Sequence, residues 1–215
     1  MREAVIQTVL DTKLVAIVRG VYGQDCLNLA KALYAGGIRA LEVTFDQSGV
    51  AAQLQTADTI SLLCRELGDK MFFGAGTVTT VELVKLAKDA GAVFIVSPDT
   101  NSQVIAATVE AGMVSMPGAL TPTEILQAHR AGADFVKLFP ANSQGVDYLK
   151  AIVAPINHVR LLAVGGINEK NVGDYLKAGA VGAGVGGNLV NKTWIAEGRF
   201  DEITACAKLF VEAVK

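Results

Sequence analysis

Apolar and polar positions alternate along the chain between two regimes. Runs of strand length that are almost wholly apolar recur at about 14–19, 39–44, 71–75, 93–97, 113–116, 134–139, 159–164 and 181–185. Between them lie longer stretches with helical spacing of apolar residues. A second mark repeats with the same rhythm: an Ala-Gly pair closes many of the helical stretches just before an apolar run. It stands at Ala35-Gly36, Ala90-Gly91, Ala111-Gly112, Ala131-Gly132 and Ala178-Gly179, with a weaker instance at Leu67-Gly68. A glycine there is expected to cap the helix in the left-handed conformation.

Strands that are apolar on both faces and alternate with helices predict a parallel sheet covered by helices. Eight strand–helix units in a chain of 215 residues fit a closed (β/α)8 TIM barrel, an α/β fold, better than an open doubly wound sheet. The open sheet would carry GxGxxG after its first strand, whereas this chain has Arg19-Gly20-Val21-Tyr22-Gly23. The opening segment, 1–13, reads as a short amphipathic N-terminal helix. No linker or low-complexity tract interrupts the pattern, so residues 1–215 are expected to form a single domain.

Composition narrows the class further. Apolar residues make up 51% and charged residues 19%, with a net charge of −2 and no basic cluster, which gives no reason to expect nucleic acid. The apolar runs are too short for a membrane span, and the N-terminal segment lacks a signal-peptide core. The cysteines Cys26, Cys64 and Cys206 are widely spaced, which suggests free thiols in a reducing compartment, the cytoplasm by default.

Three charges stand in apolar strands. Lys137 lies in Asp134–Pro140, DFVKLFP, where a period of two puts Phe135, Lys137 and Phe139 on one face. An ammonium between aromatic rings loses hydration, which favours the free amine that carbonyl attack requires. The alternative is a lysine that reaches solvent or pairs with a carboxylate. Glu42, in ALEVT, shares its face with Ala40 and Thr44; a carboxylate near a lysine can move protons, or simply form a buried ion pair. Arg19 ends the first strand and can grip a substrate carboxylate in bidentate fashion, or pair with Glu42 at the rim. These three belong to strands one, two and six, and a barrel gathers the C-terminal ends of its strands at one mouth.

Glycine pairs follow the last two strands, Gly165-Gly166 and Gly186-Gly187-Asn188. Barrels often bind phosphate there through backbone N–H groups, although such turns are also merely tight. His129 and His158 fall outside the expected mouth, and no motif with metal-ligand spacing occurs, so metal-dependent chemistry is disfavoured. Trp194 reads as core or interface.

Taken in order, LEVTF around Glu42, GAGTV at 74–78, VSP at 96–98, MPGALTPTE at 116–124, FVKLFPA at 135–141 and AVGGI at 163–167 resemble the 2-keto-3-deoxy-6-phosphogluconate (KDPG) and 4-hydroxy-2-oxoglutarate (KHG) aldolases. The resemblance implies a class I pyruvate aldolase, commonly a homotrimer, with no cofactor beyond a covalent lysine imine. It would split 2-dehydro-3-deoxy-6-phosphogluconate reversibly into pyruvate and glyceraldehyde 3-phosphate. The galactonate epimer and 4-hydroxy-2-oxoglutarate are alternatives, and a barrel epimerase or a non-catalytic sugar-phosphate-binding barrel are more distant ones. Its partners would be small keto acids and aldehydes. By position, the resemblance implies Lys137 as the imine lysine and Glu42 as the proton carrier. Thr77 and Pro98 match the pyruvate pocket, Phe139 packs beside the imine, and Gly165, Gly166, Gly186 and Gly187 fall in the phosphate segments. Thr44 and Asn188 complete the expected substrate-binding set. Three positions depart from the family: Asp46 stands where many members have a carboxylate-binding arginine, so that either Arg19 takes over that task or the carboxylate is bound differently. Val164 and Asn188 replace a threonine and a serine, and AVGGI with GAGVGG is somewhat closer to the 6-phosphogalactonate aldolases.

Overall fold

A computed structural model describes residues 1–215. Its strands are β1 (Leu14–Val18), β2 (Ala40–Thr44), β3 (Phe72–Gly76), β4 (Phe94–Val96), β5 (Val114–Met116), β6 (Gly118–Ala119), β7 (Val136–Leu138), β8 (Leu161–Val164) and β9 (Gly182–Val185). The helices are α1 (Arg2–Thr12), α2 (Gly23–Ala35), α3 (Val50–Leu67), α4 (Val81–Asp89), α5 (Ser102–Glu110), α6 (Pro122–Arg130), α7 (Ala141–Val153), α8 (Val172–Lys177), α9 (Lys192–Ala196) and α10 (Phe200–Ala213). All strand pairs are parallel, in the order β5-β4-β3-β2-β1-β9-β8-β7-β6.

The two ends of that order, β5 and β6, are consecutive in the chain and separated by Pro117 alone. The expected fifth strand, 113–116, is β5 and pairs with β4; a further segment beyond Pro117, β6, pairs with β7 and brings the barrel to closure. Proline has no N–H to give to a ladder, but its carbonyl still serves. Lys137 N–H donates to Pro117 O at 2.8 Å, and Phe139 N–H to Ala119 O at 3.0 Å. The barrel thus has eight staves built from nine strand segments.

Alternation sorts the strand residues as expected. Val15, Phe94, Val114, Phe135 and Leu162 form an inner cluster, whereas Leu14, Leu41, Phe73, Val136 and Leu161 pack outward against the helices. α1 closes the strand-start end of the barrel: its buried Val5, Ile6 and Val9 join the inner cluster. Burying side chains of this size contributes about 1.5–3 kcal/mol each. Arg2 anchors the helix to Asp134 at 2.6 Å, and Asp134 also accepts from Ser115 N–H at 3.0 Å. The ring of helices closes where α10 packs on α2, with Thr204 Oγ1 donating to Ala32 O at 3.0 Å.

The Ala-Gly marks divide into two kinds. At Gly91, Gly112, Gly132 and Gly179 the glycine has positive φ, and paired backbone bonds close the helix, as in Gly91 N–H to Lys88 O and Ala92 N–H to Ala87 O. That bond pattern is a Schellman motif. At Ala35-Gly36 the left-handed residue is instead Gly37, φ 101°, while Gly36 is helical at φ −80° and packs too closely on Ala207 of α10 to carry a side chain. Gly68 is also helical, φ −66°. The helical stretches are less uniform than their spacing suggests, since α8 spans only 6 residues and α9 only 5.

Candidate active site

The C-terminal ends of the strands enclose a cavity of about 300 Å³. Its floor is formed by two buried charges, Glu42 from β2 (2% exposed) and Lys137 from β7 (8% exposed). Lys137 reaches the floor because β7 alternates Phe135, Lys137 and Phe139 inward. Its Nζ stands 4.7 Å from the centre of the Phe139 ring, a cation–π distance. Neither charge forms an ion pair: those of the chain lie elsewhere, on helices and at Asp134. Burial raises the Glu42 carboxyl above its ordinary value, and the positive charges of Lys137 and Arg19 only partly oppose the shift.

Glu42 has room because the neighbouring strand is bare. Its Cα pairs with Gly74 on β3, and a Cβ on Gly76 would overlap its carboxylate. Beyond β3 the chain turns through Thr77, whose φ of 56° is costly for a β-branched residue. Its Oγ1 accepts from Arg19 Nη2 at 3.2 Å. Gln47 ties the same turn to the end of β2, with Nε2 donating to Thr77 O at 3.0 Å and to Phe45 O at 3.3 Å. Asp46 is exposed and points back to Ser48 N–H at 2.8 Å. This bond, more than the nearby Arg19 charge, holds its carboxyl below the usual range.

The other wall consists of the loops after β8 and β9. Gly165 and Gly166 are left-handed, φ 103° and 70°. The backbone N–H groups of Gly165, Gly166, Ile167, Gly186, Gly187 and Asn188 donate to no group of the chain, and all six residues line the cavity. A set of free amides of this kind favours an anion. The Asn188 side chain bridges the two loops, donating to Ile167 O at 2.8 Å.

The cavity therefore gathers Lys137, Glu42, Arg19, Thr77, Pro98 and Phe139, together with Gly165, Gly166, Gly186, Gly187 and Asn188. Thr44 is the exception. It is buried with its Oγ1 unpaired and lines an adjoining cavity with Arg19, Asp46 and Gln47. Ile17, Val164, Ile167 and Gly184 also line the main cavity. Ile17 and Gly184 could have been inferred from alternation with Arg19 and Gly186; Gln47 carries no signal in the sequence. His129 and His158 stack edge-on at 5.1 Å, both exposed and outside this cavity. No group of three or more His, Cys, Asp or Glu is placed to hold a metal.

The family model described as "Aldolase: KDPG and KHG aldolase" matches residues 5–206. The chain belongs to this family. It is accordingly an aldolase, a carbon–carbon lyase. A 2-dehydro-3-deoxy-phosphogluconate aldolase of Treponema pallidum (strain Nichols) is 37% identical over 192 residues, covering 89% of this chain and 88% of the relative. A 2-dehydro-3-deoxy-6-phosphogalactonate aldolase of Escherichia coli (strain K12) is 33% identical, covering 94% and 96%. Among solved structures, the KDPG aldolase of Legionella pneumophila with pyruvate captured as a covalent carbinolamine superposes with a TM-score of 0.83. It is 29% identical and covers 94% of this chain and 96% of that one.

Proposed function

We propose that this aldolase cleaves 2-dehydro-3-deoxy-6-phosphogluconate through an imine on Lys137. The observation that carries the reading is an unpaired lysine and a burial-shifted glutamate on the floor of one cavity, beneath loops with free backbone amides. The Lys137 amine adds to C2 of the keto acid, giving a carbinolamine that loses water to form the iminium ion. A base, Glu42, takes the proton of the C4 hydroxyl; the C3–C4 electron pair moves into the iminium, leaving an enamine and releasing glyceraldehyde 3-phosphate. The enamine is then protonated at C3, and water hydrolyses the imine to release pyruvate and regenerate the amine. Arg19 and Thr77 hold the C1 carboxylate, and the loops after β8 and β9 receive the C6 phosphate. No separate cofactor enters these steps.

Borohydride reduction in the presence of pyruvate tests the reading: a pyruvate adduct on Lys137 should be mapped by mass spectrometry, and Lys137→Arg should lose both adduct and cleavage. An adduct on another lysine would sink it. The similarity to the Escherichia coli relative supports the galactonate epimer as a second reading, and comparing kcat/KM on the two epimers decides between them. We further propose that residues 1–215 form one domain that assembles as a homotrimer in the cytoplasm. Exposed Val50 and Leu54, one turn apart on α3, support association, and sedimentation tests it. The free thiols fit a reducing compartment, with burial pushing Cys26 up to about 12 and Cys64 to about 11.

A further inference from the structure

We infer that Lys192, at the start of α9, selects for a phosphorylated aldehyde by meeting the far end of the substrate together with the Gly186-Gly187 loop. The inference rests on the aldolase reading above and extends it to a residue outside every strand.

The main cavity does not end at Arg19. A second cavity of about 430 Å³ shares Ile17, Arg19, Gly186 and Gly187 with it and is completed by Val190, Asn191 and Lys192. A third, lined by Arg19, Tyr22, Thr44, Asp46 and Gln47 among others, also includes Lys192. Arg19 and Lys192 are thus the two cations common to the side cavities. With the reacting carbon held at Lys137 on the floor, a far end received by the Gly186-Gly187 loop reaches the wall that the main and second cavities share.

Several features place the ammonium there. Asn191 caps α9, its Oδ1 accepting from Thr193 and Trp194 N–H at 2.9 and 3.1 Å, which sets where Lys192 begins. Gly20 leaves the space that the side chain crosses: a Cβ at that position would stand 3.2 Å from Lys192 Nζ. Lys192 takes part in no ion pair of the chain. The one carboxylate lining the side cavities, Asp46, is bonded to Ser48 N–H. The free N–H groups of Gly186 and Gly187 border the same space. An ammonium beside free amides suits a phosphate dianion, for which lysine serves as a point charge. A neutral aldehyde end would gain little from it.

The test runs the aldol direction from pyruvate, with D-glyceraldehyde 3-phosphate or unphosphorylated D-glyceraldehyde as acceptor. In Lys192→Met the ratio of kcat/KM for the phosphorylated over the unphosphorylated acceptor should fall about 10- to 100-fold, mainly through KM. Lys192→Arg should restore most of that ratio. A ratio unchanged in Lys192→Met, or equal losses on both acceptors, overturns the inference. Borohydride trapping separates this failure from that of the underlying reading. A pyruvate adduct on Lys137 with an unchanged ratio overturns the role of Lys192 alone, whereas no adduct in the unmodified protein overturns the aldolase mechanism and this inference with it.

Discussion

The Glu42 carboxylate occupies the space that a side chain at Gly76 would need. The two residues lie on neighbouring strands, and the Glu42 side chain leans along β3 from its Cα partner, Gly74, towards Gly76. A buried carboxylate that must approach both Lys137 and a substrate tolerates little displacement, so the glycine positions it.

Gly76→Ala should therefore cost about 100-fold in kcat, the scale expected when a catalytic group is displaced by about 1 Å. Overpacking should also cost about 1–3 kcal/mol of stability. Steady-state kinetics and denaturant unfolding check both, and a variant with unaltered kcat would show that the close approach does not matter.

Glu42→Gln should separate activity from stability. Burial raises the Glu42 carboxyl above its ordinary 4.5. Between that value and its folded value, the native state therefore keeps a proton that the unfolded chain has released. The stability contributed by the group declines as pH rises through this window and stays low above it. Below 4.5 both states are protonated and the substitution should change little. At pH 8 the glutamine variant should melt higher, by about 2–4 °C for each kcal/mol gained, while kcat falls about 10²- to 10⁴-fold. Melting curves at pH 4 and pH 8 reveal the difference; an equal Tm shift at both would contradict the burial argument.

At the opposite end of the barrel, Asp134→Ala removes the partner of Arg2 and leaves Ser115 N–H without its acceptor. A loss of about 1–3 kcal/mol is expected, with kcat retained because Asp134 sits at the strand-start end, far from the cavity mouth. Urea unfolding together with kinetics tests this. A fall in kcat without a fall in stability would tie α1 to catalysis.

Much of the barrel is legible in the sequence because period-two alternation is a local property. It puts Lys137 with Phe135 and Phe139, and Glu42 with Ala40 and Thr44, on the faces that the strands turn inward. The short β6 beyond Pro117 is not legible, since the expected strand stops at 116 and only pairing of Gly118 and Ala119 with β7 makes them a strand. Gly36 is expected from its position to be the left-handed cap, but the helix runs one residue further and Gly37 takes that role, whereas Gly36 is required by its close packing on Ala207 of α10. Thr44 has the inward alternation of Glu42 yet opens on a side cavity that it shares with Arg19, Asp46 and Gln47.

The sequence by itself determined the strand–helix repeat, the inward faces, the glycine loops and the family, all of which are written in short-range spacing. Tertiary structure alone decided that Glu42 and Lys137 share a floor without pairing. It also decided that Gln47 secures the strained Thr77 turn, and that Lys192 lines a cavity with the Gly186-Gly187 loop. These relations join residues from separate βα units. Their distances depend on how the barrel closes, which no local pattern encodes.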